Sequence, residues 1–278
     1  MASATVLDGR KVASEIKAEL RNRIENLNVG LGTILVGNDP ASASYVDGKH
    51  RDCAEIGITS IRRNLPGDIS ESALIEEVEQ LNADRNCSGF IVQLPLPSQL
   101  NSSRILETIN PNKDADGLHP LNLGRLMMGE RAPLPCTPLA ILELARRYAI
   151  DWSGKEVVII GRGMTVGRPL SILLSRKSEN ATVTLLHSAS RDVAAHTRRA
   201  DIVVAALGKA EFLRAEMVKA GAVVFDVGLT RINGKLVGDV DAGVKEVASA
   251  LTPVPGGVGP MTRAMLLSNV VSLAEAQK

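Results

Sequence analysis

Several groups of residues in this chain have the types and spacing to do chemistry. Tyr45 and Lys49 stand four apart in ASASYVDGKHRDCAEIG. On a helix that spacing puts a phenol and an amine on one face. A Tyr–Lys pair is also a common helix-surface feature, so it carries weight only with neighbours. Gln93 sits in the apolar run GFIVQLPL, near the carboxyl end of an expected strand. That edge is where open α/β sheets bind ligands, and an amide in such a run must hydrogen-bond something. Asp114 and Asp116 follow in NPNKDADGLHP. Carboxylates beside Gly117 also suit plain Asx turns. The stretch LTPVPGGVGPMT, Leu251–Thr262, is the most unusual, with Pro253, Pro255 and Pro260 interleaved with Gly256, Gly257 and Gly259. Rigid backbone with little bulk lets a flat ligand approach closely.

A further group reads as a phosphate loop. In EVVIIGRGMTVGR, Gly161, Gly163 and Gly167 form G-x-G-x-x-x-G, one residue longer than the usual dinucleotide fingerprint. It follows an apolar strand and precedes a helix, where glycines admit a pyrophosphate to free helix N–H groups. A tight strand-to-helix turn also needs glycine, so the flanking pattern is what favours nucleotide binding. An NAD site places an acid about 20 residues on, for the ribose 2′-OH. Here TVTLLHSAS ends in His187 and Ser188 without one, while Arg162 and Arg191 lie close in sequence. Guanidinium groups suit a 2′-phosphate. NADP is therefore expected over NAD; the plainer reading is two solvated arginines.

The elements that must position these groups alternate regularly. Strands are expected at Gly30–Gly37, Ile58–Leu65 and Gly89–Leu94, with helices over 42–56, stopped by Gly57, and 70–83, capped by Ser70. This β-α-β-α-β rhythm implies parallel pairing through right-handed crossovers. Residues 110–120 read as a loop and the domain junction. A helix over 138–148 follows, and the rhythm restarts: strands at 156–160, 182–186, 202–207 and 222–227, a helix after Gly167, and a final helix over 261–275. The expected fold class is α/β: two α/β domains, the second a Rossmann-like parallel sheet, with the active-site cleft between them. The expected division is 1–120 and 121–261, with the C-terminal helix, about 262–278, packing back onto the first domain.

Composition limits the function classes. The chain has 278 residues, 45% hydrophobic and 23% charged, with a formal net charge of +1. That balance is unlike a nucleic-acid coat or a disordered acidic tail. Aromatics are 2%, too few for base-stacking platforms. No apolar run reaches a membrane span. Cys53, Cys87 and Cys136 are scattered and form no C-x-x-C pair, so buried thiols are expected rather than disulfides or zinc. The first twenty residues lack signal-peptide character and carry Asp8, Glu15 and Glu19, so a cytoplasmic protein is expected.

Taken together, YVDGK, GFIVQLPLP, KDADGLHPLNLGRL, PCTP, GRGMTVGRP, ATVTLLHS, VGDVD and TPVPGGVGPMT occur in an order that resembles the bifunctional methylenetetrahydrofolate dehydrogenase/methenyltetrahydrofolate cyclohydrolase family, called FolD in bacteria. The resemblance runs from about Gly32 to Ala264. It implies oxidation of 5,10-methylenetetrahydrofolate to the methenyl cation with NADP, then hydrolysis to 10-formyltetrahydrofolate. It implies catalytic roles for Lys49, Tyr45, Gln93 and Asp116, with Lys49 central. It implies folate contacts from Tyr45, Gln93, Pro95, Asp116, Pro255, Gly259, Pro260 and Thr262. For NADP it implies Thr137, Gly161, Arg162, Gly163, Val166, Gly167, Ser188 and Leu229. It also implies a homodimer, no metal, no nucleic-acid or membrane partner, and a place in one-carbon metabolism feeding purine, methionine and histidine biosynthesis. The segment Asn28–Leu31 is short for the family, and Met164 and Thr165 occupy variable positions.

The implied chemistry fits the residue types. Hydride transfer needs two flat rings held close rather than acid–base help. Hydrolysis needs proton transfers. A free lysine titrates near about 10.4, too high for base work at neutrality, but burial and a substrate cation would lower it. Gln93 would orient Lys49 without adding charge. Asp116 would accept two hydrogen bonds from a pterin N3–H and 2-amino group, and Tyr45 would stack on the ligand. The alternatives are a monofunctional NAD-dependent methylenetetrahydrofolate dehydrogenase, a shikimate-type dehydrogenase, and a non-catalytic NADP sensor. The first conflicts with intact Tyr45, Lys49 and Gln93, the second with YVDGK plus QLPLP, and the third with Lys49 and the proline–glycine stretch.

Overall fold

A computed structural model describes residues 4–277; residues 1–3 and 278, the ends of the expected domain spans, lie outside the described residues. In chain order the elements are β1 (Thr5–Val6), α1 (Gly9–Arg23), β2 (Gly30–Val36), α2 (Pro40–Ile56), β3 (Thr59–Leu65), α3 (Glu71–Ala83), β4 (Gly89–Val92), α4 (Ser102–Thr108), α5 (Pro120–Met128) and α6 (Cys136–Arg147). Then come β5 (Glu156–Ile160), α7 (Gly167–Leu174), β6 (Thr182–Leu186), α8 (Val193–Thr197), β7 (Ile202–Ala205), β8 (Val223–Asp226), β9 (Thr230–Ile232), β10 (Lys235–Val237), β11 (Ala250–Leu251) and α9 (Val258–Ala276).

The chain forms two compact units. One takes the chain up to Ala13 and Thr137–Thr262; the other takes Ser14–Cys136 and the chain from Arg263 on. The chain passes between the units at 136/137, and its start belongs with the larger sheet. The physical reason is backbone pairing: β1 adds to that sheet as a parallel edge strand, Thr5 opposite Ala250 and Val6 opposite Leu251.

The Lys49 unit is built on a three-stranded parallel sheet ordered β3-β2-β4. Every residue of β2 and β4 is buried, as continuous apolar runs require when both faces are covered. Asp39 starts α2 by accepting the Ser42 N–H at 2.8 Å, Pro40 occupies the first turn, and Gly57 ends the helix at φ 92. Ser70 caps α3 through the Ala73 N–H at 3.2 Å. Strand β4 stops at Val92, earlier than its apolar run suggests, because prolines at 95 and 97 donate nothing to a ladder. Gln93 N still donates to Ile34 O at 2.8 Å. The end of α9 covers β4: a Cβ on Gly89 would meet Leu273 Cδ1 at 2.8 Å.

The other unit carries a six-stranded parallel sheet ordered β1-β11-β8-β7-β5-β6. Strand β5 has β6 on one side and β7 on the other, so successive connections leave in opposite directions. That reversal opens a crevice at the carboxyl ends of β5 and β7, where such sheets bind ligands. Val158, Val203 and Val224 are almost fully buried beneath it, each worth about 1.5–3 kcal/mol of burial. A small antiparallel hairpin, β9–β10, stands apart from this sheet.

Candidate active site and cofactor cavity

Lys49 is only 6% exposed, yet its charge is provided for. Helix α2 aims it at the end of β4, where Nζ donates to Gln93 Oε1 at 3.0 Å. Gln93 Nε2 in turn donates to Leu94 O at 2.7 Å, which fixes the amide's orientation. The Tyr45 ring, one helical turn before Lys49, lies 5.4 Å from Nζ, within cation–π range.

Asp116 is delivered to this group by its neighbours. Residues 113–115 run beside β4: Phe90 N donates to Lys113 O at 2.8 Å and Ala115 N to Phe90 O at 3.2 Å. Asp114 then turns the chain, accepting the N–H groups of Gly117, Leu118 and His119 at 3.0, 3.2 and 2.8 Å and the Asn122 amide at 2.9 Å. The segment is a loop, as its composition implies, held in place by these hydrogen bonds. Its two carboxylates divide their work: Asp114 is buried and structural, and half-buried Asp116 faces the Lys49 charge.

Burial pushes the Lys49 ammonium below its usual range, Asp116 pulls it back up, and Arg263 adds to the lowering. Burial also holds the Cys136 thiol far above its normal range. Cys136 is thus neutral near pH 7, and Asp116 is the effective counter-charge. Arg263 lies over Gly48, its Cδ 3.4 Å from where a Cβ would stand, and donates through Nε to Asp52 at 2.6 Å. This third charge beside Lys49 lies one residue past the Leu251–Thr262 stretch, in the final helix, where the sequence pattern singled out no charged residue.

The remaining substrate-site candidates are placed as follows. Pro95 is exposed directly after Gln93–Leu94. Pro255, Gly259, Pro260 and Thr262 belong to the other unit, at the entry to α9 and in its first turns. A Cβ on Gly259 would meet nothing within 4 Å. Thr262 Oγ1 donates to Thr137 Oγ1 at 3.2 Å.

In the larger-sheet unit a cavity of about 550 Å³ opens at the ends of β5, β6 and β7. The loop glycines have different reasons to be glycine. Gly161, at φ 116, has no room for a Cβ against the Ala206 carbonyl, and a Cβ on Gly167 would strike Gly161 O. Gly163 is different: a Cβ there would meet nothing, so its bareness leaves open space on the cavity side. Helix α7 begins without a side-chain cap.

Gly161, Arg162, Gly163 and Ser188 line this cavity together. Thr137, Val166, Gly167, Leu229 and Arg191 are not among its lining residues. Lys209 and Phe212 are, with Lys209 Nζ 5.1 Å from the Phe212 ring. Neither stood out in the sequence, because only the strand order shows that the segment after β7 faces β5. Among the described residues no carboxylate lines the cavity, whereas Arg162 and Lys209 do. The nearest acid after β6, Asp192, is committed to capping α8 through the Ala195 N–H at 3.1 Å. A positive cavity with a bare glycine fits a dinucleotide carrying an extra phosphate.

Among the described residues no group of three or more His, Cys, Asp or Glu is arranged to hold a metal, and no helix is long and apolar enough to cross a membrane.

Two family models match. The tetrahydrofolate dehydrogenase/cyclohydrolase catalytic domain covers residues 7–116, and the NAD(P)-binding domain of the same family covers 135–278. The bifunctional FolD methylenetetrahydrofolate dehydrogenase/cyclohydrolase of Campylobacter jejuni is 43% identical, with 99% of this chain and 100% of that one covered at a TM-score of 0.96. The Trypanosoma brucei methylenetetrahydrofolate dehydrogenase-cyclohydrolase, solved with NADP cofactor and an inhibitor, is 40% identical over 100% and 99% of the two chains, with a TM-score of 0.94. The NAD-dependent methylenetetrahydrofolate dehydrogenase of Saccharomyces cerevisiae shares the fold at 23% identity, a TM-score of 0.84 and coverage of 99% and 98%. A buried lysine held by a glutamine, a cavity lined by Arg162 and Lys209 at the strand ends, and these matches over nearly the whole length agree: the chain belongs to the tetrahydrofolate dehydrogenase/cyclohydrolase family.

Proposed function

We propose that the protein catalyses both steps of the family's reaction: NADP-dependent oxidation of 5,10-methylenetetrahydrofolate to 5,10-methenyltetrahydrofolate, and hydrolysis of that cation to 10-formyltetrahydrofolate. The observation that carries the second step is the buried Lys49, held by neutral Gln93 at 3.0 Å and countered by Asp116. A chain that only bound a dinucleotide has no use for so costly a group.

NADP, when bound, supplies the hydride acceptor. Arg162, Gly163, Ser188 and Lys209 are the residues that would hold it, with Gly161, Val166 and Gly167 shaping the loop and Thr137 and Leu229 assigned as outer contacts. On the folate side, Asp116 binds the pterin edge through paired hydrogen bonds, Tyr45 stacks on the ring, and Pro95, Pro255, Gly259, Pro260 and Thr262 give low-bulk contact surface. In hydrolysis, water adds to the methenyl carbon. Lys49, lowered by burial, takes one proton from the adding water; as the bond from the carbinol carbon to the ring nitrogen breaks, that nitrogen takes a proton back from Lys49 and the carbinol hydroxyl gives up its remaining proton to solvent, leaving the formyl carbonyl. Gln93 keeps the amine aimed without adding a charge that would hold it protonated.

A homodimer, a cytoplasmic location and supply of one-carbon units for purine, methionine and histidine biosynthesis are part of this proposal and rest on the family. The test is a spectrophotometric assay of methylenetetrahydrofolate with NADP and with NAD, followed by hydrolysis of methenyltetrahydrofolate without either. Turnover preferring NADP, with hydrolysis present, is expected. Hydrolysis absent, or NAD preferred, would contradict it.

A further inference from the structure

The segment after β7 forms one wall of the cavity and carries Lys209 and Phe212. A single buried carboxylate holds the start of it. Asp239, fully buried, accepts the backbone N–H groups of three successive residues: Leu207 at 2.5 Å, Gly208 at 3.0 Å and Lys209 at 2.7 Å. The rest of the segment is laced to the same strip of chain. Glu211 N donates to Gly238 O at 3.0 Å, Leu213 N to Asp239 O at 2.9 Å, and Asp241 N returns to Leu213 O at 2.9 Å.

Behind Asp239 stands a second buried carboxylate. Asp226, at the end of β8, accepts the Asp239 N–H at 2.8 Å and the Val240 N–H at 3.1 Å. Glycines make the room: a Cβ on Gly228 would collide with the Asp239 carboxylate, and one on Gly238 with that of Asp226. A carboxylate has several acceptor sites and no donor, which suits three converging N–H groups. Once those groups are turned inward, the backbone of residues 207–209 has little freedom left. The origin of the Lys209 side chain is thereby set, beside the Phe212 ring.

We propose that Asp239 is a positioning residue for the cofactor: it holds the 207–209 turn so that the cavity wall bearing Lys209 and Phe212 is formed before NADP arrives. This rests on the reading of that cavity as the NADP site. Preformed walls raise affinity because less ordering is left for the ligand to impose.

Two measurements test it. The first uses the unaltered, cofactor-free protein: amide hydrogen exchange at residues 207–209 is expected to be as slow as in β7, with little change on adding NADP. Fast exchange that slows only with NADP would overturn the proposal, since the wall would then be made by the ligand. The second is Asp239→Asn, which keeps the shape but turns one acceptor into a donor facing N–H groups. The NADP Kd is expected to rise about ten- to a hundredfold, at least tenfold more than the loss in methenyltetrahydrofolate hydrolysis, which needs no cofactor. Equal loss in both would mark Asp239 as a general structural residue and overturn the proposal; should this variant not fold, the exchange measurement decides alone. Arg162→Ala separates the two readings. If Arg162→Ala weakens NADP and Asp239→Asn does not, the positioning role fails alone. If neither does, the cavity is not the NADP site.

Discussion

Lys49 and Gln93 meet at 3.0 Å from different elements, one on α2 and the other just past β4. The partner is neutral, and this matters as much as the distance. A carboxylate in that place would stabilise the ammonium form. Gln93→Glu is therefore expected to move the alkaline-rising limb of the hydrolysis pH–rate profile upward by on the order of one unit and to cut the rate at pH 7 about tenfold. A profile that keeps its midpoint would contradict the orienting role.

Asp116 and Asp114 are two residues apart and differ in kind. Asp114 is fully engaged with backbone and Asn122. Asp116→Asn should raise the KM for methylenetetrahydrofolate at least about tenfold, the usual scale for a charge-assisted hydrogen bond, and leave NADP affinity within about twofold. Fluorescence titration with NADP alongside folate kinetics checks this. Parallel loss of both would place Asp116 with Asp114 as a structural residue.

At the end of β6 the exposed Ser188 lines the cavity, which has no carboxylate among its described lining residues. Ser188→Asp puts an acid where an NAD site has one. The ratio of kcat/KM for NADP to that for NAD should fall by about a hundredfold, through repulsion of the 2′-phosphate. An unchanged ratio would mean the 2′-phosphate is read elsewhere.

His50 follows Lys49 and is buried, its Nε2 sharing a hydrogen bond with Thr33 Oγ1 at 2.7 Å. Burial, with Arg62 adding to it, pushes its pKa down to about 4. The unfolded chain takes up this proton near about 6.5, so the histidine's contribution is full above that pH and is lost as pH falls toward 4. Asp226, pushed up to about 7 by burial, slopes the other way: it favours the fold at low pH and this is lost as pH rises from 3.8 to about 7. The two oppose each other, so the useful quantity is a difference. The stability of His50→Gln relative to the parent protein should improve by on the order of 1–3 kcal/mol between pH 7 and pH 4. Denaturant melts across that range would show it; a pH-independent difference would contradict it.

The sequence made the sheets legible where local signals agreed. Gly57 ends α2, whose start at Pro40 under the Asp39 cap lies two residues before the expected 42; Ser70 opens α3, and unbroken apolar runs mark β2, β4, β5 and β7. Tyr45, Lys49 and Gln93 could be joined because helix periodicity and the strand-end rule point to one place. Other features depend on pairing that no local pattern encodes. Strand β1 is two exposed residues, recognisable only by its partner β11. Residues 110–120 have loop composition, yet Asp114 binds them into the interior. Lys209, Asp226 and Asp239 become functional candidates only when β7 and β8 lie side by side with β5 beyond them.

The central claim is that the amine of Lys49 carries the hydrolytic step. Lys49→Met removes the amine and keeps the length of the side chain. Assayed on both reactions, it is predicted to lose methenyltetrahydrofolate hydrolysis by at least about a hundredfold, the scale of a general acid–base group, while NADP-dependent oxidation falls by no more than about tenfold. Hydrolysis at a near-normal rate in that variant would contradict the account.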